Sequence, residues 1–382
     1  MNRRGQARIA GAYEHPRRVI EDRSVAQLHR EVAAGALADA GLSFADVDAY
    51  FCDGRTPSLS MVDYLGLDVR HVDSTSIGGS SYLAHVGHAT AAIAAGICQV
   101  ALITCAGRPR SRRRAEFHEG TPESGFEDVY GTSTAGVYAL VAQRHMHEYG
   151  TTAAQLAQIK VAASHHAQYN PNALLPDKVT VEQVLDSPLI SDPLHRLDCC
   201  VVTDGGGALV VVSPQVAAGL DRESVAVLGE AEAPKTSANG RIDLTYTAAA
   251  WTGPRALAEA GVGVADIDYA SIYDSFTITV LETLEDLGFC EKGKGGQFVA
   301  GGNLISGVGR LPVNTDGGGL CNNHPNNQGG VIRTVEAVRQ LRGEAAPQVQ
   351  VPDCELALVH GTGGRIGTRM GGVTLILGRE AA

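Results

Sequence analysis

The sequence predicts a layered α/β protein built from two related halves. Three observations carry this. Residues 36–48, ALADAGLSFADVD, return as residues 256–268, ALAEAGVGVADID, with Ala, Leu, Ala, Ala, Gly, Ala, Asp and Asp at identical spacing, the signature of an internal repeat. Each copy runs into a short apolar strand, at 49–52 and 269–273. Both halves then continue as Gly-rich turn, helix, strand and Gly-rich turn. Continuous apolar strands alternating with helices imply sheets covered on both faces.

The elements follow in order. Each repeated segment is a helix closed by Gly41 or Gly261, where glycine takes the left-handed conformation that ends a helix. In the first half, Gly78-Gly79-Ser80-Ser81 opens a small-residue helix through Ala95, followed by the strand Val100 to Cys105 and then Ala106-Gly107. In the second half, Gly317 to Gly319 precede a helix from about Gly330 to Leu341. The strand Leu356 to Val359 follows, ending in His360-Gly361-Thr362-Gly363-Gly364. Between the halves, about 108–197 carries helical patterns at 137–149 and 153–169. It reads as a loop subdomain inserted above the first sheet, and Gly207 to Val212 then returns to the core. The halves divide as 1–232 and 233–382. The active site is expected where the strand ends and helix starts of the two halves converge.

Composition narrows the function. A chain of 382 residues exceeds the roughly 250–300 at which single cores stop growing. Apolar residues make up 44% and charged residues 19%, ordinary for a globular protein. A net charge of −11 disfavours nucleic acid and anionic membranes as partners. No apolar run reaches the ~18 residues of a membrane span, and no secretory h-region is seen. Eight scattered cysteines without a CxxC pair argue for reduced thiols, a cytoplasmic location and no zinc knuckle. The run Arg108, Arg110, Arg112, Arg113 and Arg114 reads as a solvated loop or as a local anion site.

Four motifs in order resemble the thiolase superfamily, particularly the sterol-carrier-protein-2 type. Arg144 to Thr152, Asn170-Pro171 and Pro193 to Cys200 through Thr203-Asp204-Gly205 look like that family's loop domain and its return to the core. Tyr273-Asp274-Ser275-Phe276 stands where the family has His-Asp-Cys-Phe. Gly318-Gly319-Leu320 followed by His324-Pro325 matches its Gly-Gly-Leu and His-Pro element, and His360-Gly361-Thr362-Gly363 its last catalytic turn. The resemblance implies a five-layer αβαβα thiolase fold, a homodimer, and CoA phosphates held in the inserted region.

Two departures change the expected chemistry. The helix start where thiolases carry a nucleophilic cysteine reads Ser76-Ile-Gly-Gly-Ser-Ser-Tyr82, and the second reactive cysteine is Ser275. A hydroxyl without an activating base is a far poorer nucleophile than a thiolate. What remains suits an enolate: backbone N–H donors at the Gly361 and Gly363 turn and at Ser80 and Ser81, with Tyr273 and His324 to move protons. The thiolase-like aldolases that remove steroid side chains look similar, with a Tyr-Asp-x-Phe element that Tyr273 and Phe276 match. They have a second tyrosine near the position of His324. The expected activity is therefore retro-aldol cleavage of a β-hydroxyacyl-CoA, steroid-like or otherwise bulky, with CoA as part of the substrate and no bound cofactor or metal. A DUF35-type OB-fold partner is implied by the resemblance alone.

Other readings stay open. Cys321 or a partner's thiol would restore a Claisen-type acyltransferase, and a non-catalytic acyl-CoA-binding subunit is a third class. Ser80 and Ser81 could only cap their helix, and His360 could matter only through the glycines after it. Asp274 reads as orienting a loop. His85 and His88 are a turn apart but lack a third zinc ligand and read as packing. His145, His147, His165 and His166 read as solvated, and Cys199 and Cys200 as pointing to opposite sides of a strand.

Overall fold

The computed structural model describes residues 4–112, 124–131, 133–326 and 328–379. Among the described residues, nine strands form one sheet: β1 Arg8–Glu14, β2 Ala49–Phe51, β3 His71–Asp73, β4 Val100–Gly107, β5 Gly205–Val212, β6 Val225–Lys235, β7 Tyr269–Ile272, β8 Leu356–Arg365 and β9 Thr368–Gly378. The helices of eight residues or more are α1 Val25–Ala40, α2 Ser58–Leu65, α3 Ser81–Ala94, α4 Thr134–Tyr149, α5 Ala153–Ala167, α6 Ala249–Ala260, α7 Thr277–Asp286 and α8 Gly330–Arg342.

The strand order β3-β2-β4-β5-β1-β6-β9-β8-β7 reads as two copies placed back to back. β2, β4, β5 and β1 are mirrored by β7, β8, β9 and β6. Within these four-stranded copies the pair β2·β4 or β7·β8 is parallel and the other neighbours are antiparallel, and β3 adds to the edge of the first copy parallel to β2. The halves join through β1 and β6 by Arg8 with Ala226 and Ile9 with Val225. Helices α3 and α8 each touch strands of both halves, so the sheet folds over them and five layers result. α1 covers the first half from outside and α6 covers the second. The division drawn at 232/233 falls inside β6.

The repeated sequence has a physical cause in each half. A Cβ at Gly11 of β1 would strike the Ala36 carbonyl, and one at Gly229 of β6 would strike that of Ala256. The repeated helix therefore lies directly on a strand glycine in both copies. Asp46 and Asp266 accept from the backbone N–H of Ser43 and Gly263, each at 2.8 Å. Asp48 accepts from Val100 N at 2.8 Å, and Asp268 from Leu356 N at 2.9 Å. Gly229→Ala is expected to destabilise by about 1–3 kcal/mol, because overpacking against backbone has no cheap relief. A urea midpoint shift with unchanged m-value would show it.

Two expectations about the inserted region are corrected. Its helices α4 and α5 pack against α7 and the outer side of the second half, not above the first sheet. That docking buries histidines expected in solvent. His145 lies fully buried with Nε2 3.1 Å from Glu285 Oε2. Buried His166 accepts from Ser306 N at 3.0 Å. His147 is exposed as expected. His85 is held by the Thr75 carbonyl at 3.1 Å. His88 pairs with Asp73 at 2.6 Å and Glu232 at 3.3 Å.

Candidate active site

Tyr273 follows the last residue of β7, and its N–H donates to the His360 carbonyl of β8 at 2.9 Å. Its hydroxyl meets His324 Nε2 at 2.7 Å, the rings edge to face with centroids 5.3 Å apart. Both residues are buried, each 5% exposed. Burial, with the Cys200 thiol as the next contributor, pushes the Tyr273 phenol well above its usual value, while the Gly329 backbone N–H opposes the shift. Burial, aided by the Arg333 cation, pushes His324 down to about 4. At neutral pH the pair is a neutral phenol against a neutral imidazole.

The loop that carries His324 is fastened by carboxylates absent from the sequence expectations. Glu14 Oε1 accepts from Arg18 at 2.7 Å and from Asn323 Nδ2 at 2.8 Å. Asn322 Nδ2 donates to Asp316 Oδ2 at 2.8 Å, and Asp316 takes a two-pronged pair from Arg333 at 2.9 and 2.7 Å. Burial alone would raise the Asp316 carboxyl, but Arg333 outweighs it and holds it low. The signal available in sequence was a lone arginine inside the apolar run Val331-Ile332-Arg333-Thr334-Val335. His324 N–H is itself held by Thr203 Oγ1 at 2.9 Å.

Asp274 orients a loop, as expected. Its oxygens accept from Gly319 N at 2.7 Å and Leu320 N at 3.0 Å, which fixes the Gly-Gly-Leu turn. Burial raises its carboxyl to about 6, against the lowering pull of Arg333 and the two amides. Phe276 stacks on Tyr138 of α4 with centroids 4.2 Å apart, tying the inserted region to this element.

The glycines bring the two halves together at Tyr273. A Cβ at Gly79 would land on the Tyr273 ring and 2.6 Å from the Thr362 carbonyl. A Cβ at Gly361 would sit 3.1 Å from Ser80 Cα, and one at Gly363 would strike the Ile77 carbonyl. The start of α3 therefore rests directly on β8 beside the phenol.

Three expected side chains stand elsewhere. Ser80 Oγ donates to the Ile77 carbonyl at 2.8 Å, and Ser81 Oγ donates to that of Gly78 at 2.7 Å while accepting from Ile77 N. Both hydroxyls are buried and lock the turn, and neither caps the helix as a side-chain acceptor. His360 bonds Thr374 Oγ1 at 2.9 Å, and Thr374 bonds Thr252 of α6. Alternation along β8 points this ring to the outer layer and Gly361 to α3. His360 thus packs away from the phenol, and burial pushes it down to about 3.

Cys321 is fully buried, with Sγ 3.1 Å from Lys160 Nζ, and burial raises its thiol despite the lysine. The smaller thiol signal missed in sequence is Cys200, whose Sγ lies 3.8 Å from His324 Nδ1. Arg108 donates to the carbonyls of Ile20, Arg23 and Glu21, and Arg110 to that of Val202, so both tie the loop rather than wait for an anion. Arg113, Arg114 and Asn327 lie outside the described residues.

Residues 231–379 match the family model described as "Thiolase C-terminal domain-like". The chain is 34% identical over 363 residues to an acetyl-CoA acetyltransferase of Methanothermobacter thermautotrophicus, covering 91% of this chain and 93% of that protein. The chain belongs to the thiolase superfamily. Within the superfamily it is 33% identical over 364 residues to the steroid side-chain-cleaving aldolase of Thermomonospora curvata, covering 90% and 92% of the two chains. It is 34% identical over 367 residues to the 17-hydroxy-3-oxo-4-pregnene-20-carboxyl-CoA lyase of Mycobacterium tuberculosis, covering 90% and 94%. Among solved structures, the Ltp2-ChsH2(DUF35) aldolase superposes with a TM-score of 0.88 at 33% identity, covering 98% of each chain. No helix among the described residues is long and apolar enough to cross a membrane.

Proposed function

We propose that this thiolase-superfamily chain is a carbon–carbon lyase that cleaves a bulky, steroid-like β-hydroxyacyl-CoA by a retro-aldol step. The observation that carries the reading is the 2.7 Å contact between the Tyr273 phenol and a neutral His324, beside an α3 start that has no cysteine. Two relatives of similar identity are a named aldolase and a named CoA lyase.

The residues suggest the following proton path. The Tyr273 oxygen takes the proton of the substrate's β-hydroxyl while its own proton passes to His324 Nε2. The Cβ–O bond becomes a carbonyl as the Cα–Cβ pair moves into the thioester, giving an enolate. Backbone N–H groups at the α3 start, at Gly79 and Ser80, and at Gly361 and Gly363 stabilise the enolate oxygen, each donor worth roughly 10²–10³ in rate, while the Ser81 N–H is taken by the Gly78 carbonyl. The carbonyl product leaves, and the borrowed proton returns from His324 through Tyr273 to Cα. No proton is consumed, and neither residue carries charge at rest. CoA arrives as part of the substrate, and the scheme uses no other cofactor.

A homodimer, a DUF35-type partner that helps receive the CoA ester, and a cytoplasmic setting complete the reading. The partner rests on the aldolase complex that this chain resembles at TM-score 0.88. Assaying β-hydroxyacyl-CoA esters with the chain and a DUF35 protein should release free carbonyl compound and a shortened acyl-CoA. Thiolysis by free CoA, with an acyl adduct in intact-protein mass spectra, would instead favour the acyltransferase reading that the Methanothermobacter relative keeps open.

The pH profile is specific. His324 acts as neutral imidazole, and its folded value of about 4 lies below the ordinary 6.5. Cleavage is therefore expected to stay level as pH falls through 6.5 and to drop only on approaching about 4. An acid limb of kcat/KM near 6.5 would contradict this assignment.

A further inference from the structure

We infer that Cys200 is a positioning residue for His324, a neutral sulfur partner that keeps the histidine's borrowed proton transient. The inference deepens the proposed lyase reading and rests on it for its role. Among the described residues, Cys200 Sγ, at 3.8 Å, is the one hydrogen-bonding partner of Nδ1.

The placement is built by the backbone. Cys200 N–H donates to the Ser275 carbonyl at 2.9 Å, and Val201 N–H to that of Gly319 at 2.8 Å. Thr203 Oγ1 accepts from His324 N–H at 2.9 Å. Residues 200–203 are thus stitched to the Tyr273 element on one side and to the His324 loop on the other. The sulfur is held where Nδ1 points.

The chemistry of the partner matters. A carboxylate at Nδ1 would fix one tautomer and stabilise the imidazolium. A thiol is only a weak donor and acceptor. It leaves Nε2 free to accept from Tyr273, yet offers the resulting imidazolium little, so the proton returns to Cα. The other groups around the ring agree. Tyr273 faces Nε2, the Arg333 cation of α8 opposes protonation, and Asp274 is engaged by the Gly319 and Leu320 amides. A Cβ at Gly319 would lie 2.9 Å from Asp274 Oδ1 and 3.4 Å from the carbon His324 Cδ2, so this carboxylate borders the carbon edge of the ring, with both oxygens taken by the two amides.

The test follows the His324 imidazole by NMR, assigned by difference from His324→Gln, and the acid limb of kcat in parallel. Cys200→Asp should raise the His324 titration by at least one pH unit and slow cleavage at least tenfold. Cys200→Ser should leave the rate within about threefold. Cys200→Ala, which stays uncharged if the aspartate variant does not fold, should alter the imidazole nitrogen shifts by removing the Nδ1 partner. A merely structural Cys200 would lower thermal stability in these variants and leave the titration and shifts where they are. Unchanged His324 titration and nitrogen shifts in all folded variants would overturn the inference. If these signals move while no CoA ester is cleaved, the lyase reading fails and the Cys200–His324 coupling stands.

Discussion

Tyr273→Phe is expected to lower kcat for carbon–carbon cleavage by about 10²–10⁴-fold, the usual worth of a well-placed acid or base, with KM little changed. The substitution keeps the ring that rests on Gly79 and removes only the oxygen 2.7 Å from His324. The folded state should lose no more than about 1–3 kcal/mol, the cost of leaving the buried imidazole nitrogen without its partner. Steady-state kinetics beside a melting curve separate the two effects. Full activity in a folded Tyr273→Phe protein would overturn the role of this phenol and favour the scaffold reading, in which the chain binds an acyl-CoA and another subunit does the chemistry.

Arg333→Leu should produce the largest loss of stability, about 3–5 kcal/mol, since it strands a buried carboxylate. Arg333 and Asp316 are each 1% exposed at the side chain and form two hydrogen bonds. Asp316 also holds Asn322 and the Gly318 N–H, so the stranded charge sits under the loop that presents His324. Pairing the change with Asp316→Leu should recover only part of the loss, because those two bonds vanish with the carboxylate. Chemical denaturation of the single and double variants measures this directly. A single variant as stable as wild type would mean that the ion pair does not hold the loop.

Much of this was legible in sequence because it repeats or because it breaks a pattern. The ALADAG and ALAEAG segments report a helix pressed on a strand glycine, a demand that recurs in both halves and leaves few substitutions. Tyr273 and His324 stood out as polar groups at a strand end and in a loop. The long strands β1, β6 and β9 escaped notice, since Ala and Gly dilute their apolar runs and β1 starts within a basic N-terminus. His145 and His166 misled because polarity predicts exposure only until another segment covers it: Glu285 of α7 meets His145, and Ser306 and Asn314 of the following loop meet His166. His360 looked like a site residue by its neighbours in the chain, but a strand sends adjacent side chains to opposite faces. The Cys200–His324 contact joins residues 124 positions apart, and no local pattern announces such a meeting.

The mirrored strand order carries one more consequence. Residue 53, just past β2, and residue 273, just past β7, are counterparts under the offset of 220 that relates 36–48 to 256–268. One is an aspartate, whose carboxylate accepts the Arg55 N–H at 3.2 Å. The other is the tyrosine that faces the histidine. Since α3 and α8 are wedged between both copies, neither can close its own interior without its twin. Their mutual dependence fixes the architecture, and it has let twin strand tips drift toward unlike duties.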